Sequence, residues 1–179
     1  NPENITQEAI LPYLHANNNL IENNEIFRCR TKIGDGSSLN VSGAGVGNII
    51  RNNFLTEVVG NGLRTDDWQR ETVFSNNLIC SGGIVHKGKN NILNNIFVNT
   101  NIRFTTYPGQ KYYPGSLVKN NIMYFTRSGI DPYKERKTKD IYTPDDCTLE
   151  NNIYYSTVDN VAVKEFVQKR QDEHAWDKG

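Results

Sequence analysis

Two adjacent carboxylates, Asp66 and Asp67, are preceded by Arg64, followed at once by Trp68, and joined later in the chain by His86-Lys87 and Arg103. If the fold gathers them, two reactions suit the set. In hydrolysis of a glycosidic bond, Asp66 or Asp67 serves as nucleophile or base and another carboxyl as acid, their separation setting the stereochemical outcome. In β-elimination on a uronic acid, Arg64, Arg103 or Lys87 stabilises the enolate-like charge while Lys87 or His86 removes the proton. Trp68 offers an aromatic face on which a sugar ring can stack. A plain reading competes on equal terms: an Asp-Lys pair on neighbouring strands is a common solvated ion pair.

Such a set works only if it lies on one surface. Leu39-Asn40-Val41-Ser42, Leu63-Arg64-Thr65-Asp66, Ile84-Val85-His86-Lys87 and Ile102-Arg103-Phe104-Thr105 each begin on an apolar residue at comparable places. Side chains alternate along a strand. In this alignment Leu39, Leu63, Ile84 and Ile102 point inward, with Val41, Thr65, His86 and Phe104 on the same face. Asn40, Arg64, Val85 and Arg103 form one outward column, and Ser42, Asp66, Lys87 and Thr105 a second. Asp66 then stands beside Lys87, flanked by Arg64 and Arg103, with Asn40 at the head of the first column. A slip of one residue would exchange the faces.

The alignment follows from an internal repeat. Asn supplies roughly one residue in seven, well above ordinary usage. Much of it falls in six copies of a short apolar strand, an Asn-Asn pair and another short strand, with the first Asn at 23, 52, 76, 94, 120 and 151. These strands are too short and too broken for a helix. Asn tolerates the left-handed backbone region better than other non-glycine residues, so it can turn the chain once per coil. Stacked at the ~4.8 Å spacing of strands, equivalent Asn side chains can bond along a ladder. The repeat predicts an all-β, right-handed parallel β-helix of about six coils. The Asn pairs are scaffold.

The whole chain of 179 residues reads as one domain: an N-terminal cap over 1–17, coils over 18–158 and a C-terminal helix and tail over 159–179. Thr6 can open a short cap helix carrying Ile10, Leu11 and Leu14, and Asp159 or Asn160 another carrying Val163, Phe166 and Val167. Ser128 to Asp146 shows no repeat signature and reads as a polar excursion, a surface loop or a lip over a groove.

Twenty basic residues balance twenty acidic ones, with no basic block to suit nucleic acid or an anionic membrane. No run approaches the length that spans a bilayer. Cys29, Cys80 and Cys147 show neither zinc-knuckle nor disulfide-framework spacing and read as small apolar residues. Asp66-Asp67 and Asp145-Asp146 could meet calcium, but two adjacent carboxylates supply too few of its oxygen ligands. No cofactor is implied. His15 and His174 fall in the caps and read as incidental. Gly43-Ala44-Gly45-Val46-Gly47 does not lead into a helix, so it reads as a coil-to-coil turn and not a phosphate loop. Tyr107, Tyr112 and Tyr113 either join Trp68 as stacking platforms or cover apolar core. An exposed solenoid end favours some association between copies.

The run Gly45-Val46-Gly47-Asn48-Ile49-Ile50-Arg51-Asn52-Asn53, then Gly60-Asn61-Gly62-Leu63-Arg64-Thr65-Asp66-Asp67, then Gly82-Gly83-Ile84-Val85-His86-Lys87-Gly88-Lys89-Asn90-Asn91 and Asn94-Asn95-Ile96-Phe97, resembles the pectate-lyase-like right-handed β-helix proteins. More narrowly, it looks like their bacterial carbohydrate-active branch, which includes β-helix glycoside hydrolases and polysaccharide lyases. The resemblance spans roughly residues 18 to 155. It implies a polysaccharide or oligosaccharide partner, a secreted or periplasmic setting, and Asp66 and Asp67 as catalytic or substrate-binding carboxylates with His86 and Lys87 one coil on. Lys87 and Arg64 stand where that branch has uncharged or aromatic residues, which shifts the expected substrate towards acidic glycans or elimination. The branch usually has more coils, and the opening Asn1-Pro2 and final Trp176-Asp177-Lys178-Gly179 suit a piece of a longer chain. The leading expectation is a polysaccharide- or oligosaccharide-degrading glycoside hydrolase acting on a groove along the parallel sheet, slightly ahead of a polysaccharide lyase, and a non-catalytic glycan-binding or purely structural β-helix is the remaining one.

Overall fold

A computed structural model describes residues 7–29, 35–105, 115–135 and 144–172. The chain enters through a short helix α1 (Gln7–Ile10) and a 3-10 turn (Leu11–Tyr13). It then coils. The first coil is β1 (Leu20–Glu22), β2 (Glu25–Phe27) and β3 (Ser37–Val41), and the second β4 (Ile49–Arg51), β5 (Phe54–Thr56) and β6 (Asn61–Thr65). The third is β7 (Thr72–Ser75), β8 (Leu78–Ile79) and β9 (Ile84–His86), and the fourth β10 (Asn90–Leu93), β11 (Ile96–Val98) and β12 (Ile102–Phe104). The fifth is β13 (Ser116–Lys119), β14 (Ile122–Phe125) and β15 (Tyr133–Glu135). The sixth has β16 (Cys147–Glu150) and β17 (Ile153–Ser156) before helix α2 (Val161–Asp172).

Equivalent strands pair in parallel into three sheets. Sheet A runs β1-β4-β7-β10-β13-β16, sheet B β2-β5-β8-β11-β14-β17, and sheet C β3-β6-β9-β12-β15. The protein is a parallel β-helix. No helix among the described residues is long and apolar enough to cross a membrane.

Each sheet sends one apolar column inward. Ile50, Phe74, Ile92 and Val118 stack in sheet A, Leu55, Ile79, Phe97 and Met123 in sheet B, and Leu63, Ile84 and Ile102 in sheet C, all essentially buried. Burying side chains of this size contributes about 1.5–3 kcal/mol each, which offsets the ordering of short strands.

The two Asn of each pair divide the labour of the bend. The first, at 23, 52, 76, 94, 120 and 151, takes φ between 54° and 59°. The second forms a ladder: Asn24 donates through Nδ2 to Asn53 Oδ1 at 2.9 Å, Asn53 to Asn77 at 3.0 Å, Asn77 to Asn95 at 2.9 Å, Asn95 to Asn121 at 3.1 Å and Asn121 to Asn152 at 2.8 Å. Each Oδ1 also accepts the backbone N–H of the Asn one coil earlier, so the buried amides are satisfied.

Two expectations are amended. The stretch from Ser128 to Asp146 is no mere excursion, because β15 inside it adds a fifth strand to sheet C, with Tyr133 paired to Ile102. Tyr133 is buried while Lys134 faces out, so a single aromatic preserves the inward column where the local sequence is highly charged. The cysteines are half-buried and form no disulfide with one another, and Cys147 packs against the edge of the core. The C-terminal helix opens as expected, directly after Asn160, whose carbonyl accepts the Lys164 N–H at 3.1 Å, and its Val163, Phe166 and Val167 pack on the core. Thr6, Tyr107, Tyr112, Tyr113, His174 and the segment 176–179 lie outside the described residues, and His15 is exposed.

Outside, the sheets differ. Sheet A carries ion pairs, Arg51 with Glu22 at 2.7 Å and Lys119 with Glu150 at 2.7 Å. Sheet B presents the registered column Phe54, Leu78, Ile96, Ile122 and Ile153, headed by Glu25. Beside it Phe27 and Tyr155 are exposed, and Tyr124 stacks on Tyr155 with ring centroids 5.8 Å apart.

Candidate functional site

Sheet C has the register that the sequence alignment predicts: Leu39 pairs with Leu63 and Asn40 with Arg64, Leu63 with Ile84 and Arg64 with Val85, and Arg103 with Val85. The outward face and the strand ends therefore bring Arg64, Asp66, Asp67 and Lys87 together. Lys87 Nζ donates to Asp66 Oδ1 at 2.5 Å and to Asp67 Oδ1 at 2.6 Å. Arg64 reaches Asp66 Oδ2 at 2.5 Å and Asp35 Oδ1 at 3.0 Å. The result is a chain of alternating charge from Asp35 through Arg64, Asp66 and Lys87 to Asp67, crossing three coils.

Burial grades along that chain. The side chain of Lys87 is 6% exposed, Arg64 12% and Asp66 15%, whereas Asp67 is 41% exposed and meets solvent. Burial pushes the Asp66 carboxyl up, but the Lys87 hydrogen bond and the Lys87 and Arg64 charges outweigh it, so its pKa lies below the usual carboxylate range. Burial lowers Arg64 and the charges of Asp66 and Asp35 more than restore it. Asp35 is held low by the Gly36 N–H and by Arg64.

The turn after β6 explains the placement of both carboxylates. Gln69 N–H donates to Asp66 C=O at 3.2 Å, which closes a tight turn over Asp66-Asp67-Trp68-Gln69. Trp68 occupies the position of that turn that requires positive φ and has φ 62°. Glycine or Asn normally fills it, since a bulky residue there is strained. Trp68 is half-buried.

His86 is a correction to the candidate set. It points into the coil as the register predicts, is 0% exposed, and lies edge-on to Phe104 with ring centroids 5.2 Å apart. Burial drives its pKa down to about 3, a backbone hydrogen bond at Asn90 opposing only part of this, so the ring is neutral and withdrawn from any substrate. Arg103 donates to Asn61 Oδ1 at 2.6 Å, two coils earlier. Asn40 is exposed and accepts from Ser37 Oγ at 3.3 Å. Among the described residues no group of three or more His, Cys, Asp and Glu is gathered to hold a metal ion. The glycine run at 43–47 is a close-packed turn: a Cβ on Gly45 would lie 1.7 Å from Asn17 Oδ1.

The sequence reading missed what holds Lys87 in place. Thr65 Oγ1 accepts the Lys87 N–H at 2.8 Å and donates to its carbonyl at 2.9 Å, while Asn90 Nδ2 donates to the same carbonyl at 2.9 Å. Gln69 Nε2 completes this buried group by donating to Asn90 Oδ1 at 2.8 Å. The signal lay in the small polar residue that opens sheet A strands at Thr72, Asn90 and Ser116, a second corner motif beside the Asn-Asn bend. Asp35 was missed because no repeat pattern marks it.

Comparison with protein-family models, with curated proteins and with solved structures gave no match. The likeness to pectate-lyase-like proteins rests on the motifs quoted above.

Proposed function

We propose that this chain is a carbohydrate-binding β-helix that takes a polysaccharide or oligosaccharide along the outward side of sheet C. In this reading Trp68 is the platform for a sugar ring, Asp67 and Asn40 bond hydroxyls, and Arg103 attracts uronic-acid carboxylates. The observation that carries it is the backbone of Trp68: a bulky residue held at φ 62° beside a solvent-reaching carboxylate. Strain of this kind costs on the order of 1–3 kcal/mol and concentrates at binding and catalytic sites. The secreted or periplasmic setting implied by the family likeness goes with this function.

The test is affinity electrophoresis against neutral and uronic-acid polysaccharides. Trp68→Gly is expected to weaken glycan binding at least tenfold while raising stability by about 1 kcal/mol, because it relieves the turn. A purely structural Trp68 would give unchanged binding or a loss of stability.

Hydrolysis is the second reading, favoured by two carboxylates on one ammonium, whose contacting oxygens are thereby no more than about 5 Å apart, at or below the spacing of retaining enzymes and short of that of inverting ones. With Asp66 held ionised, Asp67 would have to donate the proton. Elimination is less well served, since Lys87 is engaged by both carboxylates and His86 is inside the coil. Following new reducing ends and the absorbance of a new double bond together separates the three: neither signal accords with binding alone, reducing ends abolished by Asp67→Asn with hydrolysis, both signals with elimination.

A further inference from the structure

We infer that the outward face of sheet B is an interface that joins two copies of this chain, face to face and antiparallel. From the second coil to the sixth, its two outward columns contain no charged residue, whereas the outward faces of sheets A and C are laced with ion pairs. Leu78, Ile96, Ile122, Ile153 and Tyr155, all within the coils that the pairing covers, are each between 37% and 57% exposed. For side chains of this size that leaves roughly 400–450 Å² of apolar surface, the size of the largest patch on a typical monomer, which is often a functional one. The half-buried Phe54, Val98 and Tyr124 bring it to roughly 500–600 Å² per partner, the lower end of what a specific interface buries.

The border of the face is polar. The Asn bends line one side, and the Arg28–Glu57 pair at 2.8 Å and the Asn99–Thr126 bond at 2.8 Å line the other. An apolar centre depleted of charge inside a polar rim is the composition of a protein–protein interface.

A second copy is the occupant because the column is self-complementary. Its five apolar members, Phe54, Leu78, Ile96, Ile122 and Ile153, are centred on Ile96, so a two-fold axis along the strand direction at that coil sets Leu78 against Ile122 and Phe54 against Ile153. The two sheets then pack at the usual ~10 Å. Glu25, which heads the column, decides the orientation. A parallel pairing would place two Glu25 carboxylates opposite each other in an apolar contact, and the antiparallel one carries each beyond the end of its partner's column. Sheet C remains outward on both copies, so this inference is independent of the glycan reading.

Sedimentation equilibrium of the whole chain tests it. The expected mass is twice 20.4 kDa, falling to one chain in Ile96→Asp with an unchanged far-ultraviolet circular dichroism spectrum. Leu78→Glu and Ile122→Lys should each be monomeric alone and recover the dimer on mixing, because the antiparallel register sets the two positions opposite one another. A wild-type monomer at 100 μM, a larger assembly, a dimer that survives Ile96→Asp, or failure of the mixture to recover would each overturn the proposal.

Discussion

His86 shows how strongly a neighbour can change the meaning of a residue. Its imidazole packs against Phe104 inside the coil, and its pKa falls from the ordinary value near 6.5 to about 3. The sign of the linkage follows. Between those values the unfolded chain binds a proton that the folded chain refuses, so stability is full above the unfolded pKa and declines as pH falls towards 3. Chemical denaturation at pH 7, 6, 5 and 4 should show the wild type losing up to about 1.4 kcal/mol per pH unit from this one group. His86→Leu should remove that slope and leave only the carboxylate contribution. An unchanged slope would mean that His86 titrates alike in both states. The sequence placed this side chain on the inward face yet also among the catalytic candidates, because residue type suggested chemistry and alternation suggested burial. Alternation prevailed, since a strand in register has no means of turning one side chain outward.

At the scale of the element, the Asn ladder predicts a gradient of cost along the coil. Asn95 is fully buried and serves both coils beside it: its Oδ1 accepts from Asn77, and its Nδ2 donates to Phe74 C=O at 3.0 Å and to Asn121 Oδ1 at 3.1 Å. Asn95→Ala strands several of these groups at once and should cost about 3–5 kcal/mol in urea denaturation, whereas Asn24→Ala, exposed at the first rung, should cost about 1 kcal/mol or less. Equal costs would show that the rungs do not act as a buried chain. Most of this element was legible, because the repeat fixed the bends and apolar periodicity fixed the inward columns. β15 was not, since Tyr133-Lys134-Glu135 has only one apolar member and its partner Ile102 supplies the context that makes it a strand. The candidate site was half legible. Columns of residues follow from register, but the bond of Arg103 to Asn61 and the pairing of Arg64 with Asp35 depend on where long side chains reach.

At the scale of the molecule, an open stack must close its last coil. Helix α2 does so through Phe166, whose ring lies 5.0 Å from that of Tyr133 and 5.4 Å from that of Tyr154, the two tyrosines being bonded hydroxyl to hydroxyl at 2.8 Å. Phe166→Ala should lower stability by about 2–4 kcal/mol. Because repeats couple mainly to their neighbours, the loss should begin at the sixth coil, where amides of β16 and β17 would exchange hydrogen faster while those of β7 to β11 keep their protection. Uniform acceleration through all coils would mean that the stack opens as one unit.

The Asn-Asn bend keeps its two residues in all six coils, while the distance from one bend to the next ranges from 18 residues to 31. Every coil nonetheless adds one strand spacing to the stack, so the chain can lengthen or shorten elsewhere around the circumference without altering the pitch. The molecule thus separates a repeated spine from a rim that is open to insertion. Segments bordering sheet C can diversify there freely, and a new specificity could be acquired on this scaffold by growth of a single corner.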